Sequence, residues 1–322
     1  MKTLVTGGTG FIGSNLVKQL LKKRWKVRLL TRKSISIKNV DCFVGDIMDK
    51  KAVEKAVKDV EVIFNLAGVL PFHLMPDKNY FDVNVQGVKN LLEACRGKQI
   101  KRFVHVSTVG IYGSSGSRII DENSKLNLDS VYAKSKAKGE KLVTDYSKKY
   151  NLPFVIIRPT IGYGPFDTRP GFLNLFKIAQ KGWLIPIGKG ENFFHTVFVE
   201  NLVDALILAA IKKEALGQDF IIGDNPCPRM LDILKKIARI ESFKLPPFYL
   251  PILLVNLFAK FGDFLLMLGL KFPLYSTRVK FLTENRRYSI EKAKKILNFH
   301  PRVNLDEGLT RTYIWYKKNG YL

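Results

Sequence analysis

The chain has 322 residues, 46% hydrophobic and 25% charged, enough to bury a substantial core in one large unit or two small ones. Lys and Arg number 53 against 28 Asp and Glu, and the net charge of +25 favours anionic partners (nucleic acid, acidic headgroups or phosphorylated cofactors) without choosing among them. Three scattered cysteines (Cys42, Cys95, Cys227) exclude a CxxC or disulfide framework and suit a reducing cytosol, while His73, His105, His195 and His300 lack ligand spacing, so no metal site is expected. In chain order, TLVTG (3–7) reads as a strand and the stretch after Gly13 as a helix. KVRLLT (26–31) and DCFVGD (41–46) read as strands, AVEKAVKD as a helix and VIFNLAG (62–68) as a strand. A helix through NVQGVKNLLEAC precedes the strand RFVHVST (102–108), and a long helix over 132–146 precedes PFVIIRP (153–159). Strand–helix alternation at this spacing predicts an α/β fold with a doubly wound parallel sheet. Beyond Pro159 the rhythm breaks into Gly- and Pro-rich loops and short elements, as a substrate-binding lobe would require. No charged-then-apolar segment precedes TLVTG, so export is not expected and a cytoplasmic place is.

TGGTGFIG (6–13) follows a strand and opens a helix. Of its glycines, Gly7 makes the tight turn, Gly10 lets backbone approach a pyrophosphate, and Gly13 lets helix pack on strand; Phe11 and Ile12 lie between them. The pyrophosphate then rests on the helix N-terminus. A Rossmann domain is therefore expected over 1–160, rejoined by elements from about 196–224. The smaller C-terminal lobe lies mainly in 161–322. The second strand ends in Thr31–Arg32–Lys33, where an enzyme using NAD usually has Asp or Glu on the ribose. Arg32 offers a fork for a 2′-phosphate, so NADP(H) is favoured, with NAD(H) the alternative.

The spacing of these glycines resembles the extended short-chain dehydrogenase/reductase family, and the resemblance covers nearly the whole chain. It implies that Asp46–Ile47 contacts adenine and that Leu66–Ala67–Gly68 passes under the ribose. RPTIGYGP (158–165), with Pro159, matches the strand end near the nicotinamide. YAKSK carries Tyr132 and Lys136 four apart, on one helix face. A phenol of pKa about 10 is a poor base at neutral pH, and a nearby ammonium favours the phenolate. In the family, the catalytic Ser or Thr stands four residues before the tyrosine of a Tyr–Gly pair. That selects Thr108 in HVSTVGIYG (105–113), beside Ser107. Thr108 would hold the substrate oxygen while Tyr132 exchanges its proton and the nicotinamide exchanges hydride. Asn84 belongs more loosely to the proton relay, and a homodimer through the helices near Tyr132 is the family expectation.

Three departures bear on the substrate. Val109 and Gly110 follow Thr108 where dehydratases of the family carry Asp–Glu, and neither side chain moves a proton. Ile161 stands where nucleotide-sugar enzymes usually have a diphosphate-binding Asn, and Phe194–His195 where they have Arg–Asp. The stretch around Asn201 resembles the 3β-hydroxysteroid and sterol-carboxylate dehydrogenase branch. The tail, where Asn304 and Glu307 also offer a capping box, resembles the family at large and does not choose between its branches. These features imply an oxidoreductase acting on a secondary alcohol or ketone of a lipid-like substrate, with a nucleotide-sugar epimerase as the alternative. Nucleic-acid binding lacks any recognition motif.

The segment PILLVNLFAKFGDFLLMLGL (251–270) has the length of a bilayer span. Its twelve Leu, Ile, Val or Phe residues contribute about −6 kcal/mol, and Lys260 with Asp263 at mid-segment costs a similar amount, so the span is rejected. Lys260 and Asp263 are placed to pair at i, i+3, and Gly262 and Gly269 to allow a bend. A buried helix of the substrate lobe or an interfacial helix on an anionic membrane remains, the latter supported by Lys271 and placing the protein peripherally on the inner face.

Overall fold

The computed structural model describes residues 1–71, 76–270, 272 and 274–322; His73, Lys271 and Pro273 lie outside them. The first half runs β1 (Lys2–Thr6), α1 (Phe11–Lys22), β2 (Lys26–Thr31), β3 (Val40–Val44), α2 (Lys50–Ala56), β4 (Val62–Asn65) and α3 (Asp77–Phe81). A π-helical turn, Asp82–Gly87, then leads into α4 (Val88–Cys95), β5 (Arg102–Val106), α5 (Val131–Tyr150) and β6 (Phe154–Pro159). After this come β7 (Ile161–Tyr163), α6 (Pro170–Gln180), β8 (Thr196–Phe198), α7 (Val199–Ile211), β9 (Gln218–Ile222) and α8 (Met230–Ile240). The chain closes with α9 (Ile252–Met267), α10 (Ser276–Thr283), α11 (Glu291–Leu297) and α12 (Leu305–Lys318).

Seven strands, all paired in parallel, form a sheet of order β3-β2-β1-β4-β5-β6-β9. Helices cover both faces, so the central strands are buried throughout and mostly apolar: every residue of β4 and β6 is buried, Asn65 and Arg158 included. One face packs on α1, α7 and α11 through Leu16, Leu202 and Leu297, the other on α2, α4 and α5 through Val53, Leu91 and Val143. The strand order reverses between β1 and β4, and ligands of such sheets sit at the carboxyl ends beside that switch point. Residues after Pro159 build a second core around Tyr163, Phe176, Phe198 and Tyr316, while β9 returns to the edge of the main sheet beside β6.

Arg158 at the end of β6 ties the halves together. Buried, it donates to the Glu140 carboxylate of α5 (2.7 Å) and to the Tyr112 hydroxyl (2.7 Å), and it pairs with Asp219 of β9. At the last helix, Asn304 Oδ1 accepts from the Glu307 N–H at 3.0 Å, the Asn304 half of the capping box. Among the described residues no helix is long and apolar enough to cross a membrane.

The segment 251–270 is not a core helix. In α9 only Val255, Ala259 and Gly262 are buried, against Val279 of α10 and the half-buried Ile187 and Leu274. Gly262 serves close approach instead of a bend: a Cβ there would lie 1.8 Å from the Leu274 carbonyl oxygen, and α9 runs unbroken past it. Among the described residues Asp263 makes no ion pair with Lys260. Its Oδ1 accepts from the Ser276 N–H at 3.0 Å, satisfying a free donor at the start of α10.

Candidate active site

The loop between β1 and α1 is set by backbone geometry. Gly7 has φ +68, and a Cβ on it would lie 2.8 Å from the backbone of Leu66 and Ala67; one on Gly13 would lie 2.2 Å from the Gly7 oxygen. The helix begins at Phe11, before Gly13 and not after it, because the extended backbone of Gly10 (φ −80, ψ 178) already serves as N-cap. That cap makes no side-chain hydrogen bond and the first turn carries no acid, so its N–H groups are available to an anion.

A cavity of about 410 Å³ opens over this turn. Its wall includes Gly7, Gly10, Phe11, Ile12 and Gly13 from the loop, and Arg32, Asp46 and Ile47 from the ends of β2 and β3. Leu66, Ala67 and Gly68 follow β4, and Thr108, Tyr132, Lys136 and Pro159 close the far end. The donor set fits a dinucleotide. Ser107 Oγ and Thr160 Oγ1 are buried on this wall with no hydrogen-bond partner among the described residues, two polar groups left for a ligand. Arg32 is exposed at the opposite end and makes no ion pair among the described residues. Among the described residues no three metal-ligating side chains cluster.

Around the tyrosine, Thr108 caps the 3₁₀ turn Val109–Tyr112, its Oγ1 accepting from the Gly110 N–H at 3.0 Å, which leaves the hydroxyl proton for another acceptor. Burial raises the Tyr132 phenol above its ordinary value of 10, opposed by the hydrogen bond to Thr108 and the Arg169 charge, and reinforced by Tyr80. The expected lowering by Lys136 does not govern: its Nζ donates to the Val106 carbonyl at 2.7 Å, and burial pushes its pKa down to about 8 against the pull of Glu140. Asn84 is buried with its side chain spent on positioning. Its Oδ1 accepts from the Val69 N–H (3.0 Å) and its Nδ2 donates to Ser135 Oγ (3.0 Å), fastening the loop after β4 to α5.

Other residues are ones the motifs did not single out. Arg169 at the start of α6 lines the cleft, donates to both Asp167 oxygens (2.6 and 2.8 Å) and to the Gly162 carbonyl (2.9 Å), and lies 4.6 Å from the Phe11 ring centre. The signal was in the sequence, as an Asp two residues before an Arg–Pro pair that opens a helix. Tyr80 packs edge-on to Tyr132 at 6.4 Å. Thr6, Asn65 and His105 form a buried chain beneath the site, with Asn65 Nδ2 donating to His105 Nδ1 at 3.1 Å and burial holding that imidazole neutral.

The two apolar departures, Ile161 and Phe194, do not line the cleft. Phe194 is 3% exposed and packs edge-on against Phe281, and Ile161 faces the second core. His195 is also interior: its Nε2–H donates to the Asp224 carbonyl at 2.7 Å, its Nδ1 accepts from the Tyr288 N–H at 3.3 Å, and burial lowers its pKa to about 4. Among the described residues, none from α9 lines the cleft.

A glycine turn at a sheet switch point, with Thr, Tyr and Lys at the carboxyl ends of β5 and α5's first turns, is the arrangement that the family model for NAD dependent epimerase/dehydratase proteins matches over residues 3–223. The chain belongs to that family. Among epimerase/dehydratase relatives, UDP-glucose 4-epimerase of Vibrio cholerae is 30% identical, covering 96% of this chain and 93% of its own. Sterol-4-alpha-carboxylate 3-dehydrogenase, decarboxylating, of Mus musculus is 29% identical over 97% and 90%. The crystal structure of UDP-glucuronic acid 4-epimerase from Bacillus cereus in complex with NAD superposes with a TM-score of 0.80, covering 99% of both chains at 24% identity, a likeness of fold. The protein is thus an NAD(P)-dependent enzyme of the extended short-chain dehydrogenase/reductase type.

Proposed function

We propose that the enzyme is an NADP(H)-dependent oxidoreductase that interconverts a ketone and a secondary alcohol on a lipid-like substrate. The observation that carries the reading is the pairing of Thr108 and Tyr132 over Lys136 at one end of the cleft with exposed Arg32 at the other. A guanidinium there suits a 2′-phosphate, and no carboxylate follows β2 to favour a bare ribose hydroxyl. The bound cofactor supplies or accepts hydride. In the reductive direction Thr108 Oγ–H holds the substrate carbonyl oxygen, hydride adds to the carbonyl carbon, and the Tyr132 phenol gives its proton to that oxygen, leaving an alcohol. A phenol held neutral by burial suits this acid role. Lys136 lies behind it as a charge-tuning group whose own proton is loosened to about pH 8.

Support for a lipid-like substrate comes from the sterol dehydrogenase relative, while the lack of any acid or base at Val109–Gly110 argues against a dehydratase. Phe194 and Ile161 add nothing to it. A second reading, epimerisation of a nucleotide sugar, is favoured by the UDP-glucose 4-epimerase relative and by a cation, Arg169, in the cleft. The two differ in cofactor balance, because an epimerase returns its hydride and consumes none. NADPH oxidation assayed with a panel of 3-oxo lipids and sterols, beside UDP-sugar turnover, separates them. Net oxidation with a lipid ketone is expected; UDP-sugar turnover alone would overturn the proposal.

A further inference from the structure

Thirteen of the 25 large hydrophobic side chains exposed among the described residues fall within 248–270, so the apolar surface is concentrated on α9 and the few residues either side of it. At roughly 100 Å² for each half-exposed aromatic or leucine, the patch reaches on the order of 1,000 Å², beyond the about 300–600 Å² usual for a monomer's largest patch. On α9 the exposed residues include Leu253 (85%), Leu257, Phe258, Phe261, Phe264 and Met267 (85%). At about 100° per residue they sweep about half the helix circumference, from Met267 round to Phe258, opposite the buried line of Val255, Ala259 and Gly262. The helix therefore stands on the protein by its small residues and turns its large ones outward.

We propose that this face is a docking surface for an anionic lipid bilayer. A partner helix covers a stripe of about 100° and would leave the rest of this half-cylinder wet, whereas an interface plane covers all of it. The surroundings match a charged headgroup layer. The segment 181–189 lies against 243–252, with Gly182 near the Phe243 ring, Ile187 bridged to Leu250, and Gly188 against Ile252. It carries exposed Lys181 and Lys189 and the 71% exposed Trp183, with exposed Lys244 beside it and Lys260 on the flank of α9. None of these lysines is in an ion pair among the described residues, and the chain carries +25 overall. Trp and Tyr at the rim of an apolar patch are the residues that settle at headgroup level, and Tyr249 is 47% exposed there. The inference rests on the surface alone and stands whichever substrate the cleft takes.

Sedimentation of the full chain with vesicles tests it, using phosphatidylcholine mixed with phosphatidylglycerol and phosphatidylcholine alone, at low and high salt. Binding to the anionic vesicles is expected, weaker by about tenfold or more at high salt and on neutral vesicles. It is expected to be lost in Leu257→Glu with Phe261→Glu, both at exposed sites, with NADPH binding kept as the control for folding. Wild-type protein that stays in the supernatant with anionic vesicles at low salt overturns the proposal, as does equal binding to neutral vesicles or by the variant. A dimer that the same substitutions dissolve, without vesicle binding, assigns the face to a second copy and also overturns it.

Discussion

The cleft and α9 invert one another. In the cleft, polar side chains are buried and committed: Asn84, Asn65 and Lys136 each hold a named partner, and Arg158 locks three elements behind them. On α9, large apolar side chains face outward and small ones hold the protein. Substitution in the first region removes groups that other groups depend on, whereas the outer face of the second gives up few contacts within the chain.

The largest effect is expected at the tyrosine. Tyr132→Phe keeps the ring and removes the proton donor, so kcat is expected to fall by about 10²–10⁴-fold with NADPH binding retained. A variant with near-normal turnover would break the contrast between a committed cleft and a tolerant helix. Behind the site, Glu140→Gln leaves Arg158 buried with a weakened partner and should cost roughly 3–5 kcal/mol, read as a lower midpoint in urea unfolding. Arg32→Ala sharpens the comparison from the other end of the cleft: being exposed, it should leave stability unchanged while weakening NADP⁺ about 10–100-fold and NAD⁺ little.

Lys136→Met sets stability against function. The Lys136 pKa is about 8 in the fold against an ordinary 10.5, so the unfolded chain binds more protons between these values and wild-type stability rises with pH through that window. The burial penalty is fully present below pH 8. The variant is expected to lose turnover yet gain about 1–3 kcal/mol at pH 7, after the loss of the bond to Val106, and that gain should shrink as the pH approaches 10.5. Thermal unfolding of both proteins across this range checks the sign. The smallest effect belongs to α9, where Leu257→Ser should change stability by no more than about 0.5 kcal/mol.

The same two regions show what the sequence made legible. The glycine loop could be read because its constraint is local: φ +68 at Gly7 and a backbone contact at Gly13 admit no other residue without strain. The strands could be read because a sheet covered on both faces leaves continuous apolar runs, as in VIFN and FVIIRP. Phe194 and α9 could not be read this way, because burial is decided by what arrives from elsewhere in the chain. Phe281 reaches Phe194 across 87 positions and takes it into the core. Nothing among the described residues arrives over Leu253 or Phe264, and the apolar pattern of 251–270 is the same whether or not a protein core covers it. Arg169 was missed for a related reason: its DxRP signal marks a helix start, and only the packing of the 163–169 loop against the start of α1, through Phe11 and Asn15, brings it to the cleft.

Net hydride transfer between NADP(H) and a ketone–alcohol pair under the Tyr132 hydroxyl, as proposed, leaves an isotopic trace. That trace is read from the fate of deuterium during turnover with NADPH deuterated at both C4 positions. Deuterium on the carbinol carbon of a lipid alcohol, one per NADPH consumed, is the predicted result. Inversion of a nucleotide sugar with no net loss of cofactor would contradict it.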